Sequence, residues 1–250
     1  LGYAITPAWS VTGTVSNGFR APTASEVNLL TYASATAETP TVTAMTKSTK
    51  GTWTASLSGD KHLQVYNYQV TVGGNTEEAV DPYAGSVTVN GDRSVVINLD
   101  ATNPAGFATH TKPAFSGKAT DAVMYELHVR DATIDASSGV TDATKRGKFL
   151  GLAQLGTSVK VGKVTSPTGL AAIKDLGVTH VQLLPMYDYA SGGLETAPTF
   201  NWGYDPKNFN APEGQYSSDP TNPVARVSEL KTAIQAMHKA GLRVTMDVVY

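Results

Sequence analysis

The 250-residue chain contains no cysteine, which removes disulfide bridges and thiolate metal sites together. That absence does not choose a compartment, because many secreted bacterial proteins also lack cysteine. Charge is scarce as well. Charged residues make up 16% of the chain and the formal net charge is −2. No electrostatic footprint for nucleic acid exists, and the small basic cluster Lys145-Arg146-Gly147-Lys148 reads as a solvated loop. No apolar run approaches the ~20 residues of a membrane span. The five histidines show no His-x3-His spacing and no neighbouring acidic ligands, so a zinc site is unsupported. No serine stands in a Gly-x-Ser-x-Gly elbow. The stretch Gly156 to Val164 superficially resembles a phosphate-binding loop, but its glycine spacing is one residue too long. Val164 also stands where Ser or Thr would meet the metal, so a surface loop is expected there.

What the chain does contain is two halves with different periods. Up to about residue 103, short alternating segments (26–29, 53–57, 63–72, 86–90 and 94–99) are separated by Gly- or Asp-rich turns such as Gly59-Asp60, Gly73-Gly74-Asn75 and Asn90-Gly91-Asp92. This spacing predicts an immunoglobulin-like β-sandwich over residues 1–103. A linker with Pro104, Gly106, Pro113 and Gly117 follows over residues 104–120. The remainder, residues 121–250, alternates strand and helix. Strands are expected at 123–129, 179–184 and 242–249. Helices are expected at 168–176, ended by Gly177, and at 224–240, ended by Gly241. Apolar strands joined by helices indicate a parallel sheet covered on both faces.

Within the first of these strands Tyr125, Leu127 and Val129 share one face, and Glu126, His128 and Arg130 the other. A (β/α)8 barrel accommodates both sets, since the polar one points into the barrel toward its active end. An open doubly wound sheet would bury charge against helices. The expected fold is therefore a β-sandwich followed by the first three β-strands of a TIM barrel. Three barrel strands alone leave unpaired apolar edges, so the chain is expected to be a truncated portion of a longer protein.

The segment FNWGYDPKNFNAPEGQYSSDP, residues 200–220, reads as an irregular loop after the second barrel strand. Trp202, Tyr204 and Tyr216 have the apolar faces and polar tips on which a pyranose stacks. A long loop folded around its own aromatics explains the pattern equally well. Asp188, Glu195, Asp205 and Asp247 lie at or near strand ends, but the spacing fixes no catalytic pair among them.

These residues resemble a known family. Phe200-Asn201-Trp202-Gly203-Tyr204-Asp205-Pro206 is similar to the Y-N-W-G-Y-D-P box of type I pullulanases, family-13 glycoside hydrolases of the α-amylase clan. Asp247-Val248-Val249-Tyr250 resembles the start of that clan's D-V-V-x-N-H region. Residues 125–131 and 177–185 are similar to its first two barrel strands. The first half resembles carbohydrate-binding module family 48 through Ala21-Pro22-Thr23-Ala24, Gly51-Thr52-Trp53, Gly59-Asp60, Tyr66-Asn67-Tyr68 and Asp81-Pro82-Tyr83-Ala84. The sequence departs from the pattern at Phe200, where the family has Tyr, and at Phe19-Arg20, where a Val-Trp pair is expected.

The resemblance implies a retaining α-1,6-glucosidase that debranches pullulan, glycogen and starch with two carboxyl groups ~5 Å apart. It places the catalytic carboxylates downstream, so none is expected in this chain and the chain alone is expected to be inactive. It implies that Tyr204 stacks on the sugar before the scissile bond and that Asp247 shapes that subsite, with Asn201, Trp202 and Asp205 as further substrate-binding candidates. The partner implied is an α-glucan polysaccharide. No cofactor is expected beyond calcium, which binds in many relatives through residues the sequence does not locate. A secreted or cell-surface location suits the Ser/Thr/Ala-rich stretch 31–52, with a cytoplasmic one left open. The alternatives are a non-catalytic glucan-binding module and another family-13 enzyme of isoamylase or glycogen-branching type. Isoamylases carry a related box without the Asp-Pro that follows Tyr204 here.

Overall fold

The computed structural model describes residues 24–190 and 193–249 in full, and residues 8–13 as backbone. The first half contains β1 (Ala8–Gly13), β2 (Glu26–Tyr32), β3 (Thr41–Ala44), β4 (Thr46–Lys47), β5 (Trp53–Ser58), β6 (Val65–Val72), β7 (Asn75–Ala79) and β8 (Ser94–Val95). They form two antiparallel sheets, β1-β5-β4 and β3-β2-β6-β7, with β8 added on β6. The alternation read from the sequence decides which side chains meet between them. Val27 and Leu29 of β2 and Tyr66 and Tyr68 of β6 pack on Met45, Trp53 and Ala55. The opposite face is buried too, where Leu30 and Tyr32 meet Val65 and Val95. Each large apolar side chain so buried contributes about 1.5–3 kcal/mol. Gly73 and Gly74, at φ 57° and 86°, make the two-residue turn that pairs Val72 with Asn75, a conformation with positive φ at both positions that glycine adopts without strain.

One expected strand is absent. Residues 86–90 form a single bridge, Val87 to Ser94, and then a 3-10 turn, Val89–Gly91, in which Asn90 is left-handed at φ 62°. The reason is where its hydrogen bonds go. Asn90 donates its N–H to Glu195 Oε2 at 2.8 Å, and Asn90 Oδ1 accepts from the Glu195 N–H at 3.0 Å. The turn is committed to the second half of the chain rather than to a sheet.

That half comprises β9 (Met124–Leu127), α1 (Phe149–Leu152), β10 (Ser158–Val161), β11 (Val164–Pro167), α2 (Gly169–Asp175), β12 (His180–Leu183), β13 (Tyr187–Tyr189), β14 (Pro206–Pro212), α3 (Pro223–Lys239) and β15 (Arg243–Met246). β12 lies between β9 and β15 and is parallel to both, with Val181 opposite Tyr125 and Val244. The three expected strands are thus neighbours in one parallel sheet. Leu127, Val181 and Leu183 project into a core with Phe149, Leu152, Leu170, Leu230, Met237 and Tyr216. α3 starts where Asn222 accepts the N–H groups of Val224 and Ala225, with Pro223 in the first turn. It ends before Gly241, which is left-handed at φ 85°.

One expectation for this half is corrected. The segment read as a surface loop is an exposed hairpin, β10 paired with β11. His238 on α3 is half-buried, with its Nδ1 2.9 Å from His110 Nε2 and its ring stacked on that of His110. Gln235 adds a bond to the Ala105 carbonyl. Among the described residues, no helix is long and apolar enough to cross a membrane.

Candidate functional site

Residues 200–205 form a turn over the carboxyl ends of β12 and β15, and it is pinned from below. Gly203 takes φ 85°, and a Cβ there would lie 2.6 Å from the Pro185 carbonyl oxygen, so only glycine lets the turn pass this close to the end of β12. Asn201 Oδ1 accepts the Gly203 N–H at 2.8 Å, and Asn201 Nδ2 donates to Asp205 at 3.2 Å. Asp205 in turn receives the Ala190 N–H on its backbone carbonyl. His128 fixes the other end. Its Nδ1 accepts the Asp131 N–H, which leaves the proton on Nε2 to be donated to the Asn201 carbonyl at 2.8 Å.

Held this way, the turn presents its aromatic rings outward: Trp202 is 58% exposed, Phe200 46% and Tyr204 43%. The Tyr204 hydroxyl donates to Asp247 Oδ2 at 2.7 Å, immediately beyond β15. That bond to an anionic acceptor is the chief cause pushing the Tyr204 hydroxyl up to about 12, so it remains a donor across the neutral range. On the same sheet face as Asp247, Gln182 donates to Glu126. An exposed ring with one edge tied to a carboxylate can stack on an apolar ligand face while neighbouring oxygens bind its hydroxyls.

The structure divides the aromatic residues that the sequence grouped. Tyr216, read as a possible platform, is 2% exposed and packs edge-on against Phe149, Tyr189 and His128. It belongs to the core, because the chain turns inward after Pro212. Nor is the whole segment irregular, since β14 accounts for seven of its residues and pairs with β13. Asn201, Trp202, Tyr204, Asp205 and Asp247 do come together. Phe19 and Arg20, and Ala21 to Thr23 of the first module motif, lie outside the described residues.

Asp188 and Glu195 are not at this site. They are buried, at 1% and 4% exposed, in a cluster with Glu213 and the fully buried Arg226. Sequence reading missed the latter two; the available signal was an arginine beside Val227 and Leu230 on the apolar stripe of α3. Arg226 bonds both oxygens of Glu195, at 3.1 and 2.9 Å. Burial pushes the carboxyl of Asp188 up to about 7 and that of Glu213 up to about 8. Both values stand above the ordinary 3.8 and 4.5, so the stability these groups contribute is complete below those ordinary values and is lost as pH rises through 7 to 8. Urea unfolding should therefore show stability falling between pH 5 and 8, by up to about 1.4 kcal/mol per pH unit for each differing proton. Asp188→Asn should flatten that slope. An unchanged slope in the variant would remove Asp188 as its source.

Calcium is the ion the sequence resemblance brought forward, and the three acids place ligand oxygens within 4.8 Å of one another. Their remaining contacts do not suit it. Each Glu195 oxygen takes a backbone N–H, from Gly214 and Asn90, besides its bond to Arg226. Glu213 takes those of Gln215 and Tyr189, and Asp188 takes the Asn208 amide. Each Glu195 oxygen thus spends one lone pair on a backbone N–H and the other on the guanidinium, so while Arg226 is in place these oxygens do not also face a metal.

The described residues thus form a β-sandwich joined to a parallel α/β sheet, with exposed aromatic rings over the strand ends. Residues 1–84 match the family described as carbohydrate-binding module 48, isoamylase N-terminal domain. The chain is 43% identical over 210 residues to a pullulanase of Bacillus subtilis (strain 168), which covers 82% of this chain and 27% of that protein. Among solved structures it is similar to a Paenibacillus barengoltzii pullulanase in complex with maltohexaose and α-cyclodextrin. There the TM-score is 0.87 with 44% identity, over 100% of this chain and 38% of that one. For an Anoxybacillus pullulanase complexed with maltotriose, the TM-score is 0.82 with 41% identity, over 99% of this chain and 33% of that one. The chain is thus a segment of the pullulanase family, carrying a family-48 module, and it spans about a quarter to two fifths of the length of these relatives.

Proposed function

We propose that this chain is the glucan-recognising part of a debranching glycoside hydrolase that cleaves α-1,6 links in pullulan, glycogen and starch with retention of configuration. In this reading β9, β12 and β15 are the first three strands of a (β/α)8 barrel, and the turn over their carboxyl ends faces the catalytic centre. The observation that carries it is the Tyr204–Asp247 pair. It holds an exposed ring edge-tied above the strand ends, where a glucose unit can stack beside the bond to be cleaved.

The chain's own residues then have binding roles. Tyr204 supplies the apolar platform and Asp247 orients it while keeping acceptor capacity for a sugar hydroxyl. Asn201 and Asp205 keep the turn in shape, and Trp202 widens the aromatic surface. The retaining reaction needs a nucleophilic carboxylate and a second carboxylic acid ~5 Å away. Those two groups are supplied from outside these 250 residues. The sandwich is proposed to bind the same polymer, at a secreted or cell-surface location or, alternatively, in the cytoplasm.

The test is hydrolysis of pullulan by the complete protein and by the 250-residue chain, followed by release of reducing sugar and by NMR of the first-formed anomer. The complete protein should release the α-anomer, and the chain alone no reducing sugar. Release by the chain alone would overturn the assignment of roles. Action on glycogen without action on pullulan would move the reading to an isoamylase type.

A further inference from the structure

The buried cluster has more of a metal site about it than its acids. Around Arg226 lie the carboxylates of Asp188, Glu195 and Glu213 and three backbone carbonyls, those of Pro212 at 3.1 Å, Pro220 at 2.9 Å and Thr88 at 3.4 Å from guanidinium nitrogens. Carboxylates plus carbonyls, with no nitrogen or sulfur donor, is the ligand set of a hard divalent cation such as calcium. Here every carbonyl of the set points at a guanidinium hydrogen instead. Asp188 Oδ1 lies 3.9 Å from the same group.

The oxygens are gathered from five places in the chain: the sandwich turn at Thr88, Asp188 in β13, Glu195 in the segment after β13, the end of β14, and the loop before α3. The sandwich enters the cluster directly. A Cβ on Gly91 would lie 2.2 Å from Asp188 Oδ2, and the Gly91 carbonyl accepts from Asn208 at 3.0 Å. Lys207 closes the rim with bonds to the Asn90 carbonyl and to Asp92 at 2.7 and 2.6 Å. A cation at the centre therefore ties the two halves of the molecule together. A guanidinium does this with up to five directed hydrogens, where a metal would do it with undirected charge.

We infer that Arg226 is the built-in cation of this junction: its guanidinium stands where a calcium ion would otherwise be held, so the docking of the sandwich on the second half is independent of calcium, and removing the guanidinium converts the same oxygens into a calcium site. The inference concerns the junction and does not depend on the catalytic reading.

The experiment measures the melting temperature of the complete protein in EDTA and in 5 mM calcium chloride, for wild type, Arg226→Met, Arg226→Lys and the double variant Arg226→Met with Glu195→Gln. Wild type and Arg226→Lys should melt within about 1 °C of themselves in the two buffers. Arg226→Met should melt lower than wild type in EDTA and recover by about 4 °C or more in calcium, a response the double variant loses. A calcium response in wild type that Glu195→Gln abolishes would overturn the inference, as would an Arg226→Met protein that folds and ignores calcium. Should Arg226→Met fold only when calcium is present during refolding, the inference stands; should it fold under neither condition, equal melting of wild type and Arg226→Lys in both buffers still decides the calcium-independence.

Discussion

Tyr204→Ala in the complete protein should lower kcat/KM on pullulan by about 10–100-fold. On the proposed reading the ring supplies stacking area, and its hydroxyl bonds Asp247 in a way a smaller side chain cannot replace. At 1.4 kcal/mol per decade, contributions of that kind amount to one or two decades. Tyr204→Phe keeps the platform and gives up only the bond to Asp247, so it should stay within about tenfold of wild type. Folding should be indifferent to both substitutions, because Tyr204 is 43% exposed. Initial rates of reducing-sugar release, with a melting curve for each variant, check this. A Tyr204→Ala protein with wild-type kcat/KM would remove the ring from the site.

Tyr216, twelve residues on and also aromatic, should respond in the opposite manner. It is 2% exposed and touches Phe149, Tyr189 and His128, so Tyr216→Ala empties a ring's volume from the core beneath the turn. The expected loss is about 3–5 kcal/mol, or on the order of 10 °C in melting temperature. Tyr216→Phe should retain most of that stability, since the ring packing is kept. Because His128 carries the Asn201 carbonyl and lies against Tyr216, the alanine variant should also loosen the turn that bears Tyr204. Thermal unfolding reads the first effect. If Tyr216→Ala melts like wild type, the core described for the second half is wrong.

The contrast between these two tyrosines shows how far the sequence could be read. Nothing in the spacing of residues 200–220 told Tyr204 from Tyr216; both sit among polar and turn-forming neighbours. Only the inward path of the chain after β14 separates an exposed platform from a core ring. The carboxylates teach the same lesson. Asp188 and Glu195 sit near strand ends, as a catalytic acid would, yet Glu195 is occupied by Arg226 and by the backbone N–H groups of Asn90 and Gly214, and Asp188 by the Asn208 amide. The strand expected at residues 86–90 failed for a related reason. Its local pattern suited a sheet, and long-range bonds to Glu195 claimed the backbone instead.

What the sequence determined by itself is whatever depends on period and on local backbone chemistry. Alternation at two residues gave a sandwich, runs of apolar strand between helices gave a parallel sheet, and Gly177 and Gly241 marked helix ends. These features are set by neighbours a few residues apart, so the order of residues carries them. The tertiary structure decided which charged groups are buried together, which ring faces solvent, and that a buried guanidinium bonds to both halves. Those outcomes depend on desolvation and on hydrogen bonds between segments up to 138 residues apart, such as Arg226 and Thr88, and no local pattern encodes them.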